Sequence, residues 1–169
     1  MRMFRLLNEG EIECRVSEID KQGKWLKLLL YKTARTDSAL LDETVGPMNW
    51  CNEYKEIDGK MYCGISIKSE SGEWIQKWNV GTESNMEAEK GEASDAMKRA
   101  GFAWGIGAEL YSAPKIKIPS EKRNIKQYNG KYKNYDDFQV EKIAYDDAQN
   151  ISGLSILCNK KRCWVWTRT

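Results

Sequence analysis

The chain has 169 residues, with 27 Lys and Arg against 25 Asp and Glu, and its apolar fraction of 41% is that of an ordinary globular protein. This is enough chain for one domain with a real core, and it is too apolar to stay unfolded. Histidine is absent altogether, which excludes His-based nucleophile relays, His general bases and His-ligated zinc. The five cysteines (Cys14, Cys51, Cys63, Cys158, Cys163) include no C-x-x-C pair and read as reduced thiols. No apolar run reaches the roughly 20 residues of a bilayer span, and the N-terminus turns polar early. A soluble cytoplasmic protein without a membrane partner is expected.

In chain order, Glu11–Val16 and Lys24–Tyr31 read as strands around a turn near Gly23. Thr36–Val45 carries helical spacing (Leu40, Leu41, Thr44) and stops at Gly46-Pro47. An extended segment then leads from Trp50 to Asp58-Gly59, a strong hairpin dipeptide. Met61, Cys63, Ile65 and Ile67 alternate with Tyr62, Gly64, Ser66 and Lys68, so one face should be buried. Ser71-Gly72 turns the chain into Glu73–Val80. There Trp74, Gln76, Trp78 and Val80 share one face, and Ile75, Lys77 and Asn79 share the other.

Ser84 and Glu87 fit a capping box for a helix running to about Gly105. Its stripe of Ala93, Ala96, Met97, Ala100, Ala103 and Trp104 is mostly small and suits close packing on a sheet. Ser112–Asn134 shows little periodicity and reads as a loop, mobile around residues 121–132. Phe138–Ile143, Leu154–Leu157 and Trp164–Trp166 suggest two or three short strands in a second small β unit. The layout expected is a single domain over 1–169, with a core at 33–111, a basic loop at 112–134 and a β extension at 135–169.

Charge is segregated. Residues 36–95 hold 13 acidic and 5 basic side chains, whereas residues 96–135 hold 9 basic and 2 acidic. A basic block of that kind suits a nucleic-acid strip, and equally a lysine-bearing loop. The basic block includes Lys115 and Lys117, which count as candidate contacts.

The ordered set Arg35, Asn49-Trp50, Gly59-Lys60-Met61-Tyr62-Cys63-Gly64, Gly72-Glu73-Trp74, Val80-Gly81-Thr82-Glu83-Ser84 and Glu92-Ala93-Ser94-Asp95-Ala96-Met97-Lys98-Arg99-Ala100 resembles the Rad-fifty-two-like single-strand annealing proteins, particularly small phage-type members. The resemblance covers about half the chain, from Thr33 to Tyr111. It implies an α+β fold in which a curved antiparallel sheet is packed by one long helix (β-β-β-α), with subunits assembling into rings or helical arcs. It also implies that single-stranded DNA lies in a basic groove with its bases displayed, and that complementary strands anneal without ATP or any other cofactor during recombination and repair. A single-stranded DNA-binding protein or a phage exonuclease would be a further partner, in a bacterial host's cytoplasm.

Residue by residue, the resemblance assigns Lys98 and Arg99 to the groove and matches Arg35 more loosely. Where eukaryotic members carry another arginine, this chain has Phe102, so a phosphate contact is missing there or replaced by stacking. The residues themselves add Lys68 and Lys77, expected on the less apolar faces of the hairpin, and Tyr62 on the face of Lys68. Trp74, Trp78 and Trp104 suit core positions, Trp104 above all. A competing expectation is a magnesium-dependent nuclease built on Glu53-Tyr54-Lys55 and Glu87-Ala88-Glu89-Lys90, which look like fragments of acid-x-Lys signatures. A third is an assembly or regulatory protein on the same fold.

Overall fold

The computed structural model describes residues 2–82 and 88–169. In chain order it contains β1 (Glu13–Ile19), β2 (Trp25–Tyr31), α1 (Ala34–Val45), β3 (Trp50–Ile57), β4 (Lys60–Lys68), β5 (Trp74–Val80) and α2 (Ala88–Ala103). Six strands follow: β6 (Ile116–Pro119), β7 (Ile125–Tyr128), β8 (Lys131–Asn134), β9 (Phe138–Tyr145), β10 (Ile151–Cys158) and β11 (Lys161–Thr167). The fold is mixed α+β with antiparallel sheets. The chain divides into two compact units, Met1–Leu6 with Lys32–Ala108, and Leu7–Tyr31 with Glu109–Thr169.

In the first unit, α1 starts two residues before the sequence expectation. Thr33 caps it, its hydroxyl accepting the Thr36 amide at 3.3 Å. Gly46, at φ +84°, ends it, and its amide returns to the Asp42 carbonyl. Strands β3, β4 and β5 form a three-stranded meander with β4 in the centre. Asp58 and Gly59, at φ +51° and +71°, make the two-residue turn that the twist of a hairpin favours. Helix α2 packs on β4 and β5 over the face of Cys63, Ile65 and Ile67, which are 3% exposed or less. Ala96 and Ala100 are fully buried, so the small-residue stripe does allow close approach. The expected capping box at Ser84 and Glu87 lies outside the described residues.

The second unit is a six-stranded antiparallel sheet in the order β11-β10-β9-β1-β2-β6, with a separate β7-β8 hairpin. Its core holds Leu26, Ile116, Ile118, Ile151 and Ile156, all 1% exposed or less. The expected basic loop over Ser112–Asn134 is corrected here, since that stretch contains β6, β7 and β8. Ile116 and Ile118 face inward between Lys117 and Pro119 because β2 supplies the partners, Leu28 and Leu26. At the hairpin tip, Asn129 and Gly130 take the left-handed conformations of a two-residue turn. All three of the C-terminal strands are present, and β9 pairs with β1 at Glu13 and Gln139. All five cysteines are free thiols. Burial is the main cause that pushes the Cys14 thiol up to about 12 and the Cys63 thiol up to about 11, so neither is a reactive thiolate near neutrality.

Candidate nucleic-acid interface

Strand register determines which side chains share a surface. Lys77 pairs with Ile65, which pairs in turn with Asn52, so it stands on the sheet face that α2 covers. Its ammonium donates to the Ala103 carbonyl at 3.0 Å and lies 4.5 Å from the Trp104 ring. Lys68 pairs with Trp74 on the opposite face, as does Tyr62, opposite Lys55 and Val80. The expectation that Lys68 and Lys77 line one groove is therefore corrected. Alternation groups residues by face, but only the pairing with β4 shows that the Lys77 face is the helix-covered one. Tyr62 does share the face of Lys68.

That open face carries residues that sequence reasoning placed elsewhere. Trp74 is 51% exposed and so is not a core residue. Trp78 covers Gly64, where a Cβ would stand 2.5 Å from the indole, and Lys55 sits 4.6 Å above the Trp78 ring. Lys55 was legible only as part of an acid-x-Lys fragment. Its strand alternation relative to Tyr62 was the signal that places it beside aromatic rings. Trp104 is half-buried, and its indole donates to the Ile65 carbonyl at 2.9 Å, in keeping with a structural position.

Lys98 and Arg99 lie on α2, one residue beyond the buried Ala96-Met97 pair. Both share one counter-ion. Asp95 accepts from Arg99 Nε at 2.8 Å, and its other oxygen is 3.6 Å from Lys98 Nζ. The Arg99 side chain is 40% exposed and that of Lys98 25%. Thr82 completes the clasp, donating both its amide and its hydroxyl to Asp95 while its hydroxyl accepts from Arg99. Burial alone would raise the Asp95 carboxyl, but the Thr82 amide and the Arg99 guanidinium outweigh it and hold the group below the usual carboxylate range. Three positions thus give two cations and one firmly ionised carboxylate, a net positive, half-exposed helix surface.

Arg35 is exposed on the first turn of α1. The Phe102 ring, at the position where eukaryotic members carry an arginine, receives the Lys32 ammonium at 4.2 Å. In the second unit, Lys115 and Lys117 are exposed, and Lys117 lies 4.2 Å from the Trp25 ring.

The described residues of the nuclease expectation do not by themselves form a metal centre. Glu53 accepts from Gln76 at 2.8 Å, Lys55 is over Trp78, and Glu87 lies outside the described residues. Among the described residues, no three Asp, Glu or Cys side chains gather closely enough to hold a metal ion. Among those residues, too, no helix is long and apolar enough to cross a membrane.

No curated protein matches the chain. The model of the Rad52/22 family of double-strand break repair proteins matches residues 5–132, about three quarters of the sequence. That span takes in the meander, both helices and the Asp95-Lys98-Arg99 clasp, and the chain belongs to the Rad52/22 family.

Proposed function

We propose that this protein binds single-stranded DNA through phosphate contacts at Lys98 and Arg99, with Arg35 as a further contact, and anneals complementary strands without ATP. Family membership supports a role in double-strand break repair and recombination. The observation that carries the assignment to these residues is the clasp: two adjacent helix cations, half-exposed, share a single carboxylate. A sequence-independent annealer needs such a track, because phosphate contacts bind without reading bases. The open sheet face, with Tyr62, Trp74, Lys55 and Lys68, offers the ring-and-cation chemistry on which unpaired bases stack. Lys115 and Lys117 extend the positive surface of the second unit. The protein works as a homo-oligomeric ring or arc. Both edge strands of the meander, β3 and β5, are largely exposed, which leaves backbone groups for a neighbouring copy.

The decisive experiment replaces both cations, Lys98→Ala with Arg99→Ala. Each phosphate contact to a single strand contributes about 0.7 to the slope of log affinity against log salt, so two contacts contribute about 1.4. The ratio of wild-type to variant affinity should then be about 7-fold larger at about 50 mM salt than at about 200 mM. Strand pairing by the variant should slow in parallel. An unchanged slope in a folded variant would sink the assignment of these residues. Degradation of labelled DNA in magnesium, in place of pairing, would favour the nuclease.

A further inference from the structure

Between the start of α1 and the middle of α2 lies a closed polar joint. Lys32, just before the Thr33 cap, is 1% exposed, and Asp37, in the first turn of α1, is 0% exposed. Their side chains form an ion pair, and Lys32 Nζ also donates to the Lys98 carbonyl at 3.0 Å. The same ammonium stands 4.2 Å from the Phe102 ring. Gly101 makes room for the pair, since a Cβ there would collide with Asp37 Oδ1 and sit 2.8 Å from its Cγ. The second carboxylate oxygen, Asp37 Oδ2, is buried without a hydrogen-bond partner.

Such a joint is a poor way merely to hold two helices together. Burying the two ions costs several kcal/mol each, and apolar residues of similar volume commonly serve stability as well or better. What apolar residues lack is direction. An ammonium bonded both to an α1 carboxylate and to one α2 carbonyl fixes the rotation and axial position of α2 against α1. The carbonyl it holds belongs to Lys98, and the next residue is Arg99. On the α1 side, Asp37 is two residues from Arg35.

We propose that Lys32 and Asp37 are positioning residues for single-stranded DNA, locking α2 against α1 so that Lys98 and Arg99 keep a fixed bearing relative to Arg35. This inference rests on the DNA-binding reading above. Neither residue touches the nucleic acid. They set the geometry in which several phosphates can be held at once.

The test replaces the joint in the full chain by an apolar pair, Lys32→Met with Asp37→Leu, and reads thermal melting and oligonucleotide binding across a salt series. The expected variant melts at or above the wild-type temperature, binds about 5-fold more weakly at low salt, and shows a salt slope reduced by about 0.7, one phosphate contact's worth on a single strand. Lys32→Met alone is the second variant, because Asp37 left without its partner can take up a proton and avoid a buried unpaired charge. A stable variant with wild-type affinity and slope overturns the proposal, and so does failure of both variants to fold, which would assign the pair to stability alone. The Lys98→Ala, Arg99→Ala chain is run alongside. If wild type binds and that control loses slope while the apolar pair does not, positioning alone is wrong. If wild type retains no oligonucleotide, the DNA-binding reading falls, and this inference with it.

Discussion

Asp95 competes with any phosphate for Arg99 and Lys98, so removing its charge should strengthen DNA binding. In Asp95→Asn the clasp changes from two cations against one anion to two cations alone. A phosphate seated on the outer edge of Arg99 would lie roughly 6 Å from the Asp95 carboxylate. In a water-filled groove that like-charge contact costs about 0.7 kcal/mol, close to 3-fold in affinity. The fold should tolerate the change. Asparagine can still accept the Thr82 amide, so what is lost is the charge-assisted bond to Arg99, worth about 1–2 kcal/mol at such a half-exposed site. The assay is fluorescence anisotropy with a labelled oligothymidylate at about 50 mM and about 500 mM salt, with melting recorded alongside. The 3-fold gain should appear at low salt and fade at high salt, where screening falls to within a few ångströms. Equal or weaker low-salt binding by a variant that melts near the wild type would show that no phosphate comes close to this carboxylate, and the helix surface would lose its role.

Two further outcomes are expected. Burial raises the Asp37 carboxyl to about 6, only partly offset by Lys32 and by the field of Lys98. The native state therefore binds this proton more tightly than the unfolded chain, and the Asp37 contribution to stability grows as pH falls from about 6 to about 4. Urea midpoints of wild type minus Asp37→Asn should rise over that window, and a flat difference would remove the basis for this. Second, light scattering should give a particle mass several times the 19.5 kDa of one chain. A mass of one chain, with and without oligonucleotide, would refute ring or arc assembly.

The parts of the fold that were legible in the sequence are those held by local signals. Strands β4 and β5 announce themselves by strict alternation and glycine-bearing turns, and α1 and α2 by helical spacing. The start of α1 lies two residues earlier than its apolar spacing implies because Thr33 caps it, and a threonine just before a helical run is a common start signal. Strand β6 was invisible for a different reason. Four residues, Ile116 to Pro119, carry too little pattern alone, and their burial depends on β2, some ninety residues earlier. Strands β7 and β8 could have been found, since Asn129-Gly130 is as strong a hairpin signal as Asp58-Gly59, but the surrounding lysines masked it. Lys77 shows the remaining limit. Its own strand fixes its face-mates, and only cross-strand register reveals that α2 lies over them.

The site follows the same division, and its chemistry follows from what α2 must do to pack. A helix whose sheet-facing stripe is Ala96 and Ala100 comes too close to the sheet for a long side chain on that side, so Lys98 and Arg99 have to point away from it. Cations on an outer face usually find acids along the helix, as Asp95 illustrates at both i+3 and i+4. Of the acids on the neighbouring α1, Asp37 is bonded to Lys32 inside the joint, Asp42 accepts from the Trp50 indole, and Glu43 pairs with Arg5. No local pattern could announce that arrangement, because a lysine at a strand-to-helix junction reads as a solvent residue until Gly101 and Phe102, far along the chain, are placed around it. The Asp37 carboxylate, which feels the field of Lys98, is thus bonded to Lys32. At Asp95, Lys98 and Arg99 the helix surface keeps an excess of positive charge, and under the proposed function that excess is what a polyphosphate chain requires of it.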